Sequence, residues 1–171
     1  VSDAPLSHPV QAASVPSEGL DVEIVASPRE REAVAALNDV ISVESLVARF
    51  HVRPFGAEGL EVRGVVDART TRTCVLTLEP FEEPVHEDVS VRFSPRAPLG
   101  GGEQDVDEDA PDPLVGGAVD LGAIASEFFT LGLDPYPRKP GAAFEPKAAP
   151  GEAESPFAVL RRLARDGSGE G

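Results

Sequence analysis

The sequence predicts an α+β fold: an antiparallel, hairpin-connected β-sheet or partly closed barrel, with two or three packed helices and disordered acidic and Pro/Gly loops. Three observations predict it. Apolar and polar residues alternate with period two through three runs between Leu46 and Phe93, as strands with one wet face do. Two Ser-Pro pairs and one apolar stripe at helical spacing mark short helices. Gly and Pro contribute 16 and 17 of 171 residues, a share that excludes a continuous helical bundle.

The elements follow in order. Residues 1–7 are expected to fray and residues 10–15 to form a short strand. Val22 and Ile24 alternate with Asp21 and Glu23, which predicts a second strand at residues 21–25. At Ser27-Pro28-Arg29-Glu30 the Ser27 side chain can accept from the Glu30 amide and Glu30 can reciprocate, while Pro28 suits the first helical position. That helix is expected to reach Leu37 with Val34 and Leu37 inward, and Asn38-Asp39 stops it.

The β-rich centre comes next. Leu46, Ala48, Phe50 and Val52 share one face, and Arg49, His51 and Arg53 the other; residues 54–59 supply a turn. Leu60, Val62, Gly64, Val66 and Ala68 repeat the alternation opposite Glu61, Arg63, Asp67 and Arg69. Cys74, Leu76 and Leu78 continue in phase, so residues 60–78 read as one long bent strand or two. Val85, Val89, Val91 and Phe93 predict the last strand of the set.

Residues 95–113 hold three consecutive glycines and six acids, and are expected to form a disordered acidic loop. Their Asp-x-Asp-x-Asp spacing lacks the helical flanks and closing Glu of a calcium loop. Asp120 is then the expected N-cap of a helix carrying Leu121, Ile124, Ala125, Phe128 and Phe129 on one stripe, ended by Gly132. The expected organisation is an α+β domain over 8–137, a Pro/Gly/Ala linker over 138–154 and a tethered helix over 155–165. That last helix begins at Ser155-Pro156-Phe157.

Fifteen basic residues stand against 30 acidic ones, a formal charge of −15. Such a chain repels a phosphate backbone at long range, so RNA contact requires a local basic patch, and no DNA partner is expected. No apolar run reaches the ~20 residues of a membrane span. One cysteine excludes a disulfide framework and a multi-thiolate zinc site. The expectation is a cytoplasmic protein with no cofactor and no membrane partner.

Catalytic signals are thin. His8, His51 and His86 have no second ligand at metal spacing, and no nucleophile elbow, zinc-protease motif or P-loop occurs. Glu82-Glu83 and Glu87-Asp88 read as solvated hairpin residues, and Cys74 as a buried small hydrophobe. No catalytic, cofactor or metal residue is assigned. Arg49, Arg53, Arg63, Arg69 and Arg72 are the candidate RNA or partner contacts; the plainer alternative is a mixed face on which Glu61 and Asp67 pair with them.

At Cys74-Val75-Leu76-Thr77-Leu78-Glu79-Pro80-Phe81 the chain resembles the bacterial YceD family, the large ribosomal RNA subunit accumulation proteins, most of all its alphaproteobacterial branch. Residues 27–37 with Val43-Glu44-Ser45-Leu46, Val119-Asp120-Leu121-Gly122 with Glu127, and Asp134-Pro135-Tyr136-Pro137 fit in order. Pro156 and Phe157 resemble the family's C-terminal ending. The resemblance implies a non-enzymatic factor supporting 23S rRNA synthesis, processing or stability, and large-subunit assembly, through precursor 23S rRNA or a large-subunit ribosomal protein. The alternative is a chaperone-like or regulatory module for one basic protein, with an indirect rRNA effect. Many relatives carry Cys-x-Arg-Cys here; this chain keeps Cys74, with Leu76 and Thr77 in the other two places.

Overall fold

Residues 4–95 and 111–143 are described by this computed structural model. Their order is β1 (Pro9–Gln11), β2 (Leu20–Val25), α1 (Pro28–Leu37), β3 (Ser42–Phe55), β4 (Gly59–Thr73), β5 (Pro80–Ser94), β6 (Asp112–Pro113), β7 (Ala118–Asp120) and α2 (Leu121–Leu131). Strands β2 to β6 form one sheet in that spatial order, and β1 pairs with β7 in a second, two-stranded sheet. The expected α+β class describes this arrangement. The large sheet ends at β2 and β6 without closing, so the barrel alternative is corrected among the described residues. One pairing also departs from a purely antiparallel meander: β6 runs parallel to β5.

The core lies on one face of the large sheet. Leu46, Ala48, Phe50 and Val52 of β3 are buried with Leu60, Val62, Val66 and Ala68 of β4 and Val85 and Val89 of β5. Each Val or Leu so buried contributes about 1.5–3 kcal/mol, which is why the period-two pattern holds the register. The register opposes Val52 to Val62 and Val62 to Val91, keeping apolar rows continuous across three strands.

The α1 start is the reciprocal cap: the Ser27 amide donates to Glu30 Oε2 at 2.7 Å, and the Glu30 amide to Ser27 Oγ at 3.4 Å. Val34 and Ala35 are buried, whereas Leu37 is exposed, which corrects its expected inward face. Its principal neighbour is β3, so the buried stripe is narrow. In α2, Leu121, Ile124, Ala125 and Phe129 are buried against the sheet, while Phe128 is partly buried.

Of the residues expected to fray, 4–7 are anchored to the fold. Leu6 is buried, and β1 stops at Gln11, where Ala12–Ser14 turn into a 3-10 helix instead of continuing as a strand. Asp120 explains the anchoring. Its carboxylate accepts from the Gly122 and Ala123 amides, capping α2, and from the His8 amide and Ser7 hydroxyl, both at 2.7 Å. These bonds, opposing burial, hold its carboxyl below the usual range. Asp120→Ala is expected to lose about 1.5 kcal/mol in denaturant unfolding, more than an ordinary cap, because the N-terminal segment loses its tether. A loss confined to a few tenths would show the tether adds nothing.

Residues 60–78 are one strand as far as Thr73, then a turn. Cys74 donates its amide to the Glu79 carbonyl and accepts from the Leu78 amide, and Leu78 takes φ +59°. Leu78 is therefore exposed, outside the apolar phase expected for it, while Cys74 is buried. Of the expected acidic loop, Asp112 and Pro113 form β6; residues 96–110 lie outside the described residues. So does the expected helix at 155–165, with Pro156 and Phe157 and most of the linker.

Candidate functional site

The sheet face away from the core is solvent-facing, and its rows can be read from the register. From the β3–β4 turn downward they are Arg53·Glu61·Arg92, then Asp21·His51·Arg63·Ser90, then Glu23·Arg49·Val65·Asp88. Val25·Val47·Asp67·His86, Ser45·Arg69·Pro84 and Thr71·Glu82 follow, with Glu44 accepting from the Thr71 hydroxyl at 2.7 Å. Five arginines thus meet seven carboxylates, in a chain whose formal charge is −15. Most of the acidic excess lies elsewhere, and from Arg53 down to Arg69 the face is locally neutral on a strongly acidic protein.

Charge is not spread evenly along it. Glu61 is 1% exposed although its phase places it on the wet side. Three guanidinium groups cover it: Arg53 bonds to Oε2, while Arg63 and Arg92 donate to Oε1 at 3.0 and 3.2 Å. The Arg53 bond, opposed by burial and reinforced by the other two arginines, pulls the carboxyl down to about 2. One carboxylate among three guanidiniums leaves local positive charge, and Arg92 also lies 5.3 Å from the Phe55 ring centre. Arg92 was not among the expected contacts; its signal was its place on the wet phase of β5, two strands from Arg53.

Further down, Arg49 bridges Glu23 at 2.8 Å and Asp67 at 3.4 Å, and Asp67 also meets His86 Nδ1 at 2.7 Å. The Asp67 hydrogen bond and charge raise the His86 pKa above its ordinary value. Asp21 holds His51 at 2.7 Å. Arg69 is exposed and has no ion pair among the described residues. The mixed, ion-paired face is thus present: Arg49 and Arg53 pair across strands with Asp67 and Glu61, and Arg63 pairs with Glu61 along β4.

Arg72 does not join this face. It lies at an even-numbered position of β4, on the helix-bearing side, where it is mostly buried, bridges Glu83 at 2.8 Å and donates to the Asp134 carbonyl at 2.7 Å. The five expected arginines therefore divide into four on the wet face and one structural clamp.

A protein-family model described as Large ribosomal RNA subunit accumulation protein YceD matches residues 62–164. The chain belongs to the YceD family. That family name carries a role in accumulation of the large-subunit ribosomal RNA. Neither a curated protein nor a solved structure matches the chain. No helix among the described residues is long and apolar enough to cross a membrane.

In this YceD-family chain the resemblance-bearing stretches are brought together as scaffold. Val75 donates its amide to the Pro137 carbonyl, and Lys139 reaches back to Cys74 Sγ with its amide and to Glu79 with its ammonium at 3.1 Å. The 74–80 turn, with Leu78, Glu79 and Pro80, is thus clasped to the segment after α2. Cys74 is held by the Thr77 side chain and by the amides of Lys139, Thr77 and Leu76, which pull the thiol down to about 7 against burial. Thr77, standing where relatives place a second cysteine, supplies the leading bond. At the other end, Leu121 is buried and Gly122 is crossed by the N-terminal backbone: a Cβ there would lie 2.6 Å from the Ser7 nitrogen.

Proposed function

We propose that this chain supports large-subunit rRNA accumulation as a binding factor rather than a catalyst, docking on large-subunit precursors through the wet face of its sheet. The observation that carries the reading is charge placement. An exposed sheet face whose charge balances from Arg53 to Arg69 and is locally positive at the Arg53 end, on a chain of net −15, is the described surface best suited to a ribonucleoprotein. The family match supplies the biological setting. A second reading, capture of one free basic ribosomal protein, is favoured by the acidic excess outside this face.

The test is sedimentation of the tagged protein from cells on gradients at low and moderate salt. Enrichment on large-subunit precursors over mature particles is the expected result. Alanine at Arg49 and Arg53 is expected to lower the particle-bound fraction about threefold or more, as loss of two positioned cations does. A protein found only free, carrying a basic partner, would replace the docking reading by the capture reading. Unaltered association of the double variant would remove the wet face from it.

A further inference from the structure

The end of the wet face near the β3–β4 turn combines four features. Arg53, Arg63 and Arg92 converge on one carboxylate, so the cluster keeps positive charge after Glu61 is neutralised. Their side chains are 53%, 55% and 39% exposed, and each uses one guanidinium nitrogen on Glu61, leaving others open to a ligand. Glu61 itself is buried and fixes all three, which lowers the ordering cost of recruiting three long side chains. Beside them the Phe55 ring lies against Arg92.

We propose that Arg53, Arg63 and Arg92, gathered by Glu61, bind the phosphate backbone of single-stranded RNA, with the Phe55 ring as a stacking surface for a base. The site rests on the docking reading above and names its partner. A guanidinium presents paired N–H donors that match phosphate oxygens, and an aromatic ring beside a cationic groove is the arrangement single strands use. An acidic protein segment would answer the charge but leaves the ring without a role. The nearest carboxylate of the next row, Asp21, is engaged with His51. Glu58, in the β3–β4 turn, and Asp112, opposite Phe93, lie toward the same end, and neither is ion-paired to the three arginines.

The experiment is fluorescence anisotropy with the full chain and a labelled oligouridylate of about twelve nucleotides, titrated between about 50 and 200 mM salt. Two or three displaced counterions give an expected log–log salt slope of about −1.4 to −2.1. Arg63→Gln is expected to weaken binding about fivefold. The triple change Arg53→Lys, Arg63→Lys and Arg92→Lys keeps charge but loses the paired donors, and is expected to weaken it by a similar factor. Arg29→Gln, on exposed α1, is expected to bind as the parent does, and thermal unfolding of each variant shows that it folds. Parent-like binding by both the Gln and triple-Lys variants would overturn the site. Displacement of the RNA by polyglutamate as readily as by unlabelled oligouridylate would also overturn it, in favour of an acidic protein segment. Loss of the site with precursor association intact leaves the docking reading standing; RNA binding without precursor association leaves the site standing.

Discussion

Gly64→Ala is expected to be the most damaging single-methyl change in the sheet. Gly64 lies in β4 opposite Phe50 of β3 and Val89 of β5, at the centre of the large sheet. A Cβ built there collides with the Arg49 carbonyl oxygen and lies 2.9 Å from the Phe50 Cα. Those are backbone atoms of a paired strand, so no side-chain rotation relieves the clash. The β3–β4 ladder must part, and the buried Phe50 and Val62 rows shift with it. The expected loss is about 3 kcal/mol, the upper part of the overpacking range, or roughly 10 °C in Tm for a chain of this size. Thermal and denaturant unfolding measure it; a loss within about 0.5 kcal/mol, as for a surface change, would mean that β3 and β4 do not approach so closely. Arg49, His51 and Arg63 flank this point, so the variant is also expected to disturb the wet face.

Glu61→Ala comes next. It leaves three guanidiniums facing one another with no counter-charge. Breaking a buried ion pair costs about 3–5 kcal/mol. Because these arginines are half open to water, about 2–3 kcal/mol is expected. Glu61→Gln keeps the shape and isolates the charge, and its pH dependence has a definite sign. The folded carboxyl lies at about 2 against an ordinary 4.5. Its stabilisation is therefore whole above about pH 4.5 and is lost as pH falls toward 2. The stability gap between parent and Glu61→Gln is expected to close across that window in denaturant titrations. A gap constant with pH would assign the effect to shape alone.

The long strands and helix caps were legible because they are local. Ser27, Pro28 and Glu30 spell a cap within four residues, and every second residue from Leu46 to Val52 is apolar, with polar residues between them from Arg49 on. Leu37 misled because a narrow contact with β3 buries Val34 and Ala35 only. Leu78 kept the alternation after the chain had turned at Cys74, and its positive φ has no glycine to announce it.

The candidate site was half legible. Parity along β4 separates Arg72 from Arg63 and Arg69, a distinction that nearness in sequence blurs. The burial of Glu61 was not legible, because the groups that shield it come from three strands and include Arg92, 31 residues away. Where the 74–80 turn meets residues 134–139 was equally hidden: hydrogen bonds about 60 residues apart leave no periodic trace.

The tether at Asp120 has a kinetic consequence. Strands β3 to β5 succeed one another as hairpins, and β2 joins β3 through α1, so these can zip in order of synthesis, whereas the His8–Asp120 bond joins residues 112 apart. Its loop-closure entropy is met only after the meander stands, so the clasp forms late and contributes to the barrier against opening more than to the speed of folding. The N-terminal segment is the latch on an already folded sheet, and its amides are expected to exchange before those of β3 and β4 in native-state hydrogen exchange.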